Sequence, residues 1–417
     1  MPKRTTLPEK GRSHGDILAD MRGFKGTDVD WKGGRAPLYV FKATDEAYET
    51  GRAGFMEYFS ENALGARRAF PSVKRMEDEI VDMALDLFNA PEAAQGFMTT
   101  GGTESIILAM QTCRDWSRAK RGEPRHRGNV VASETVHPAF NKGAKLMDLE
   151  VRRAPVGADL RMDLAAVEAL IDDDTIMIVG SAPNFPYGMI DPVSELGRLA
   201  ERRGVWLHVD ACVGGYLAPF VRMIGRKLPD FDFAVPGVAS LSADLHKFGF
   251  CPKPASTVFY RDADKAQHHL FDADVWPNGR FLTTTIVGTR PAGGVAGAWA
   301  TLQYLGLDGY KRIAGALMNF VDAYQDGIRA TDGLKVHGTP ELSIVSFGSD
   351  EFDVFRVAEL MGEKGWLAGL TQKPKGIHRM MSMFHEPVLG EYLDDLRAAV
   401  GVVRQAPPSQ AAIRATY

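Results

Sequence analysis

The sequence predicts an α/β protein in which a large domain holds a mostly parallel, mixed β-sheet and a smaller α+β domain follows it. From residue 129 onward, short apolar segments alternate with amphipathic helical segments. Strands that are apolar along their whole length are typical of sheets covered by helices on both faces. The pattern changes after about Arg290, where a long helix rich in small residues begins. We therefore expect an N-terminal segment (1–60), a large domain (61–300) and a small C-terminal domain (301–417).

The elements before the sheet are helical or irregular. A short helix is expected from Asp16, and residues 31–40 (WKGGRAPLYV) are typical of an irregular arm that wraps a partner subunit, or of a flexible leader. Apolar residues spaced by three or four between Met76 and Leu87 predict a helix that begins at Ser72.

The sheet and the small domain follow, with strands predicted from continuous apolar runs and helices from amphipathic runs. The expected strands of the large domain are 129–133, 175–181, 205–211, 238–242 and 257–260, with helices 164–171 and 194–203 between them. The expected elements of the small domain are helix 308–330, a strand near 342–346, helix 352–363, a strand near 379–384 and helix 388–403. The tail that begins at Gln405 is expected to be mobile.

Charge and cysteine content exclude several classes of protein. Lys and Arg total 49, and Asp and Glu total 53, which gives a formal net charge of −4. A nucleic-acid binder needs clustered cations for the phosphates, so this balance argues against one. Cys113, Cys212 and Cys251 have the spacing of neither a disulfide framework nor a zinc site, and they fit a reducing compartment. We expect a cytoplasmic protein, because the sequence has no run of about 18 apolar residues and no secretory signal.

The glycine-rich turn at residues 99–105 (TTGGTES) opens a helix and is the first candidate site. Free N–H groups and the positive end of a helix dipole bind anions, and phosphate suits them best. The turn is not a Walker loop, because it lacks the GK[ST] sequence. An ordinary glycine turn with a threonine N-cap is the other interpretation.

Three further polar residues follow predicted strands, at the edge where open α/β sheets bind ligands. Asp210 ends a strand and is suited to pair with a cationic ring nitrogen, although helix capping is the commoner role of such a residue. Lys247 follows another strand beside His246, and a desolvated lysine is an amine nucleophile, whereas most lysines lie on the surface. His137 is suited either to stack on an aromatic cofactor or to a structural role.

Taken together, a phosphate cradle, a stacking imidazole, a carboxylate and a lysine are the groups that pyridoxal 5'-phosphate requires. The lysine forms a Schiff base with the cofactor aldehyde. The carboxylate keeps the pyridine nitrogen protonated, so that the ring accepts electrons. The sequence therefore predicts an enzyme that uses this cofactor, with no metal.

Other interpretations of these residues explain fewer of them. His208, Asp210, Asp244 and His246 have the side chains to ligate a divalent metal in a metal-dependent hydrolase, but that site leaves the lysine and the glycine turn unexplained. A catalytically inactive interaction protein has no feature in its favour. A nucleophilic Cys212 is possible, although a buried core cysteine is far more common.

Several longer motifs resemble the sphingosine-1-phosphate lyases, which belong to the group II decarboxylase branch of the fold-type-I pyridoxal-phosphate enzymes. The motifs occur in family order between about Leu7 and Arg397: TTGGTES, SETVHPAFNKGA, SAPNFPYGMIDPV, HVDACVGGYLAPF, SLSADLHKFGFCPKPAS and TIVGTRPAGG. FPYGMIDPV and GTRPAGG favour the lyases over amino-acid decarboxylases. The chain is similar to the soluble bacterial type, because the membrane-anchoring helix of eukaryotic members is not matched.

The resemblance implies a role for each matching residue. Lys247 would carry the Schiff base, Asp210 would pair with the pyridine nitrogen, and His137 would stack on the ring. The other implied cofactor contacts are Gly102, Thr103 and His246 at the phosphate, Cys212 against the second ring face, Asn62 beside the cofactor, and Thr289 from the neighbouring subunit of a homodimer. The implied substrate contacts are Tyr39, Lys253 and Asn184.

The implied reaction is retro-aldol cleavage of the C2–C3 bond of a phosphorylated sphingoid base, which yields a fatty aldehyde and phosphoethanolamine. Lys247 is a candidate for the proton shuttle. One departure concerns the substrate phosphate: the family's Asn-x-Leu-His is NALG at Asn62 to Gly65, and Arg67 or Arg68 is the expected replacement for the histidine. The alternative is an amino-acid decarboxylase that uses the same cofactor to break a Cα–carboxylate bond.

Overall fold

The computed structural model describes residues 4–405, so the polar tail from residue 406 lies outside the described residues. The helices are α1 (His14–Phe24), α2 (Asp45–Glu57), α3 (Pro71–Leu87), α4 (Gly102–Arg121), α5 (Ala139–Met147), α6 (Leu164–Leu170), α7 (Val193–Arg203), α8 (Ala218–Met223), α9 (Ala263–Ala266), α10 (Ala292–Arg329), α11 (Val354–Glu363) and α12 (Leu389–Gln405). The strands are β1 (Gln95–Thr99), β2 (Asn129–Ser133), β3 (Glu150–Ala154), β4 (Thr175–Ser181), β5 (Trp206–Asp210), β6 (Val238–Ala243), β7 (Ser256–Tyr260), β8 (Phe271–Ala273), β9 (Phe281–Thr283), β10 (Lys335–Val336), β11 (Ile344–Gly348), β12 (Gly369–Gln372) and β13 (Lys375–Met380).

A seven-stranded mixed sheet forms the centre of the large unit, in the order β1-β7-β6-β5-β4-β2-β3. The strands from β3 to β6 run parallel, and β7 runs antiparallel to both of its neighbours. β2, β4, β5, β6 and β7 are buried along their whole length, as expected of a sheet covered on both faces. The predicted fold class is confirmed, and the carboxyl ends of the parallel strands lie along one edge.

A four-stranded antiparallel sheet, β10-β11-β13-β12, forms the C-terminal unit together with α11 and α12. The long helix α10 joins this unit to the large one. At Gly306, φ is 53° and ψ is −178°, so the helix is interrupted just before the predicted start at residue 308. The expected domain boundary at residue 300 falls inside α10, and the three domain ranges remain predictions.

Some elements differ from the sequence-based expectation. The strand expected near 379–384 ends at Met380, because Ser382 caps a 3-10 turn and exchanges hydrogen bonds with His385. The helix expected from Ser72 begins at Pro71, whose ring presets a helical φ. The elements β1, β3 and α5 were not predicted, and β3 has the sequence EVRRA, which contains no apolar run.

The arm at residues 31–40 contains no helix or strand, as expected, and it packs on the small domain. The amide of Leu367 donates to the carbonyl of Arg35 over 3.0 Å, and the amide of Met380 donates to the carbonyl of Pro37 over 3.2 Å. Backbone bonds of this kind fix the arm beside the C-terminal sheet. Within residues 4–405, none of the helices has the length and apolar character needed to cross a membrane.

Candidate active site

A cavity of about 420 Å³ lies where the carboxyl ends of β4, β5 and β6 face the start of α4. Open α/β sheets bind their ligands at this edge. The sequence-predicted residues that line the cavity are Gly102, Thr103, His137, Asp210, Cys212, His246 and Lys247. Side chains separated by more than 140 positions in the sequence therefore meet in one place.

The glycine turn lies against the wall of this cavity. Helix α4 begins at Gly102, where a Cβ atom would lie 2.8 Å from both Cys212 Sγ and Asp244 Oδ2. Any larger residue would displace one of these side chains. The turn sits at the positive end of a 20-residue helix, so its N–H groups favour an anionic ligand.

Glu104 holds the turn from within the helix. One carboxylate oxygen accepts hydrogen bonds from the amide and the hydroxyl of Thr100, each over 2.7 Å. The other oxygen accepts from the amides of Ile286 (2.8 Å) and Val287 (3.4 Å). No role for Glu104 was predicted from the sequence. Its signal is a glutamate in the first turn of a helix, just before the apolar run at residues 106–110.

Lys247 is paired with Asp244 inside the cavity. The Lys247 Nζ atom lies 2.9 Å from Asp244 Oδ2. Burial opposes protonation of the amine, but Asp244, Cys212 and Asp210 together outweigh burial and hold the pKa of Lys247 above its ordinary value. Burial likewise opposes ionisation of Asp244, yet Lys247 and then His246 hold the pKa of this carboxyl below its ordinary value.

Asp244 was named from the sequence only among the metal ligands of an alternative interpretation, and no role in a cofactor site was predicted for it. Its second oxygen accepts a hydrogen bond from the hydroxyl of Ser256 over 2.5 Å. His246 lies beside it, with Nε2 3.7 Å from Asp244 Oδ2 and Nδ1 accepting from the amide of Ala255. The available signal was the spacing of an aspartate three residues before the lysine.

Asp210 and Cys212 form the side of the cavity at the end of β5. The Asp210 carboxylate is 8% exposed and accepts a hydrogen bond from the amide of Cys212 over 3.1 Å. The Cys212 thiol lies 3.4 Å from the hydroxyl of Ser242. Burial raises the pKa of this thiol well above its ordinary value, so the sulfur stays protonated and is a poor nucleophile.

His137 lines the same cavity with a defined orientation. Its Nδ1 atom accepts a hydrogen bond from the amide of Ala139 over 3.1 Å. The ring of Phe185 lies edge-on to it, with ring centroids 6.4 Å apart. Burial lowers the pKa of His137, and the nearby Lys247 charge acts in the same direction. The imidazole is therefore neutral at pH 7, with its proton on Nε2.

Asn62 and Thr289 lie together, outside the lining of the cavity in their own chain. The Asn62 amide nitrogen is 3.3 Å from the Thr289 hydroxyl, and its oxygen accepts from the amides of Leu64 and Arg290. Thr289 is exposed. The placement expected of it, in the site of a neighbouring subunit, remains a prediction.

The three expected substrate contacts are also outside the cavity lining. Tyr39 is in the arm, with φ at 71° and its side chain half-exposed. Lys253 is exposed, with its Nζ atom 5.8 Å from the ring centre of Phe41. Asn184 is fully buried, where it donates to the carbonyl of Leu160 and accepts from the amide of Tyr187. Their substrate roles remain predictions.

The four residues considered as metal ligands do not converge. The two ring nitrogens of His208 are hydrogen bonded to the hydroxyls of Ser240 (2.8 Å) and Ser242 (3.2 Å), inside the sheet. His208 does not line the cavity that holds Asp210, Asp244 and His246. Across residues 4–405, no group of three or more histidine, cysteine, aspartate or glutamate side chains has the spacing of a metal site.

The arrangement fits pyridoxal 5'-phosphate. Because Gly102 has no Cβ atom, the space beside it stays open. This space adjoins a helix N-terminus suited to the phosphate. A partly buried amine, a buried carboxylate and a neutral imidazole line the same space. These are the groups needed to hold the aldehyde, the pyridine nitrogen and the face of the ring.

Known proteins share both the sequence pattern and the fold. A family model described as the pyridoxal-dependent decarboxylase conserved domain matches residues 62–349. A sphingosine-1-phosphate lyase from Oryza sativa subsp. japonica is 38% identical over 410 residues, which are 97% of this chain and 76% of the relative. A protein named as a probable L-tyrosine/L-aspartate decarboxylase, from Methanothermobacter thermautotrophicus, is 32% identical over 340 residues, which are 81% of this chain and 89% of the relative.

A solved structure is similar over almost the whole length. The sphingosine-1-phosphate lyase from Burkholderia pseudomallei superposes with a TM-score of 0.92 at 34% identity, covering 97% of this chain and 94% of the other.

Proposed function

The chain belongs to the sphingosine-1-phosphate lyases within the pyridoxal-dependent decarboxylase family, and we propose on this basis that it cleaves the C2–C3 bond of a phosphorylated long-chain base. The products are a fatty aldehyde and phosphoethanolamine, and the cofactor is pyridoxal 5'-phosphate. The observation that carries the proposal is one cavity lined by Lys247, Asp210 and His137, in a chain that aligns with a lyase over 97% of its length.

The proposed roles of the cavity residues follow from their positions. When bound, the cofactor supplies an aldehyde that captures amines and a ring that accepts an electron pair. Lys247 would provide the amine that holds the aldehyde, and Asp210 would keep a proton on the pyridine nitrogen. His137 would stack on the ring, and Cys212 would contact its second face. Gly102, Thr103 and His246 would hold the cofactor phosphate.

Proton transfer is assigned to the Lys247–Asp244 pair. Cleavage removes the proton from the C3 hydroxyl, leaves the electron pair of the broken bond on C2, and later returns a proton to C2. Lys247 moves this proton, and Asp244, 2.9 Å from its Nζ atom, stabilises the protonated amine between the two transfers.

The substrate phosphate is proposed to bind cations near the cavity. Desolvation lowers the pKa of Lys253, while the nearby charge of Asp244 acts to raise it and that of Lys247 to lower it. The influence of these two residues supports a position near the reacting centre. Tyr39, Asn184 and either Arg67 or Arg68 complete this proposed set. Binding the phosphate away from the bond that breaks would orient the substrate.

A homodimer is proposed as the working state, with sites at the subunit interface. The support is that Asn62 and Thr289, both implied at the cofactor, lie outside the cavity of their own chain. A second subunit would bring them to it. Three unpaired cysteines agree with a proposed cytoplasmic location.

Product analysis of the purified holoenzyme tests the proposed reaction. Sphingosine phosphate should yield a fatty aldehyde and phosphoethanolamine, and Lys247→Ala should abolish both the visible cofactor absorbance and turnover. The second candidate is an amino-acid decarboxylase, which the 32% identity to the Methanothermobacter protein favours. Release of carbon dioxide from an amino acid, without aldehyde from the phosphorylated base, would establish that candidate and reject the lyase.

A further inference from the structure

A second cavity of about 530 Å³ adjoins the cofactor cavity. The two cavities share His137 and Phe185 in their walls. The surface of the second cavity is mainly apolar, and its volume is in the range of about 300–1,000 Å³ that is typical of small-molecule sites. Its larger apolar side chains are Leu38, Val136, Val156, Phe185, Tyr187 and Leu370.

The walls of this apolar cavity are held by contacts between the two domains. His378, from the small-domain sheet, has its Nε2 atom 2.8 Å from the carbonyl oxygen of Phe185. Burial lowers the pKa of His378 to about 4, so the ring is neutral at pH 7 and donates its Nε2 proton to that carbonyl. The hydroxyl of Tyr187 donates to the carbonyl of Lys373. The segment that carries both aromatic rings is therefore fixed before any ligand binds.

The charged groups of the cavity lie at its rim. Glu134, Arg153 and Lys373 are all solvent-exposed. The Arg153 guanidinium is also occupied, because it donates to the carbonyl of Glu134 over 2.9 Å and to the side chain of Asn141. The rest of the cavity surface is mainly apolar, although Thr135, Thr371, Gln372 and His378 also line it. This profile suits an unbranched hydrocarbon chain and disfavours a second charged group.

We propose that this apolar cavity binds the alkyl chain of the substrate. The inference rests on the proposed function and names the residues that recognise the long-chain part of the molecule. The shared wall of His137 and Phe185 lets one ligand occupy both cavities, with its reacting carbons beside Lys247 and its chain against Leu370 and Val156. Each methylene buried there raises affinity about fourfold, so the enzyme selects long chains.

Two plug variants and a series of phosphorylated bases test the assignment. Leu370→Trp and Val156→Trp each place an indole in the cavity, and Leu307→Trp is the matched control, since Leu307 is 60% exposed and lines no part of the cavity. The ratio of kcat/KM for a C18 base phosphate to that for a C8 base phosphate is measured for each holoenzyme. We expect this ratio to fall at least tenfold in the plug variants, mainly through KM for the C18 substrate, and to stay at the wild-type value in the control.

The outcomes separate this inference from the proposed function. Aldehyde release with the same C18 to C8 ratio in wild type and both plug variants would overturn the chain site and leave the lyase proposal standing. If one plug variant does not fold, the other decides the question. If the wild-type protein releases no aldehyde, the lyase proposal fails. Calorimetric titration with the C18 base phosphate then tests the cavity directly, because the plug variants must weaken that binding.

Discussion

Replacing Asp244 by asparagine should change the pH at which the protein captures its cofactor. The Lys247 amine attacks the aldehyde only when it is unprotonated. Asp244, 2.9 Å away, favours the protonated amine. Asparagine keeps the size of the side chain and removes its charge, so Asp244→Asn should lower the pKa of Lys247.

The size of the effect follows from the distance between the charges. Two unit charges 2.9 Å apart attract by about 6 kcal/mol at an effective dielectric constant of about 20, which corresponds to roughly 4 pKa units. That value is an upper bound, since Asp210 remains nearby and also raises the pKa of Lys247. Opposite charges at this range typically shift a pKa by about one to three units. At any pH below both pKa values, the rate of cofactor capture by Asp244→Asn should therefore exceed the wild-type rate by about ten- to a thousandfold.

The assay follows the visible absorbance that develops when apoprotein is mixed with pyridoxal 5'-phosphate between pH 6 and pH 10. At neutral pH, Asp244→Asn should react faster than wild type, although its later turnover should be slower. Ser256→Ala is the matched control, because it removes a hydrogen bond to Asp244 and leaves the charge in place. Equal rates for wild type and Asp244→Asn throughout this pH range would refute the assigned role of the pair.

Three further predictions concern the cofactor turn, the domain contact and acid stability. Gly102→Ala should weaken cofactor binding at least tenfold, as measured by equilibrium dialysis, because the added Cβ atom would lie 2.8 Å from Asp244 Oδ2. The control is Gly390→Ala, whose added Cβ atom would have no neighbour within 4 Å, and it should bind the cofactor as wild type does. Gly188→Ala should lower the free energy of unfolding by about 1–3 kcal/mol in denaturant titrations, because φ is 79° and the Cβ atom would lie 2.3 Å from the carbonyl oxygen of Ile344; an unchanged value would contradict this packing. The melting temperature should be highest above pH 6.5 and fall steeply toward pH 4. The reason is that burial lowers the folded-state pKa of five histidines from 6.5 to about 4, so the unfolded chain binds protons at a higher pH than the folded chain does. A melting temperature that stays constant from pH 7 to pH 5 would contradict this prediction. These histidines are His208, His269, His337, His378 and His385.

Much of the fold and the core of the site could be predicted because their signals are local. The buried strands β2 and β4 are uninterrupted apolar runs, and their predicted bounds match the structure. Asp210 is the last residue of β5 and Lys247 lies shortly after the end of β6, and parallel strands carry their ends to one edge. The elements that escaped prediction lack this signal: β3 is an edge strand with charged residues.

The rest of the site depends on contacts between distant parts of the chain. Asp244 acquires its role from packing between Lys247 and Ser256, and a sequence pattern does not distinguish an ion-pair partner from a metal ligand. Glu104 bonds to amides 182 and 183 residues further along, which no periodicity reveals. The apolar cavity is formed only where the arm, the segment after β4 and the small-domain sheet meet.

The two oxygens of Glu104 have a consequence for how the chain responds to its ligands. One oxygen bonds to Thr100 in the glycine turn, and the other bonds to Ile286 three residues before Thr289. One carboxylate thus connects the segment that would bind the cofactor phosphate with the segment that is proposed to reach another subunit. An anion that orders the glycine turn would therefore also restrain the segment that leads to Thr289. Cofactor binding in one subunit would then reduce the mobility of the residues that this subunit contributes to the site of its neighbour.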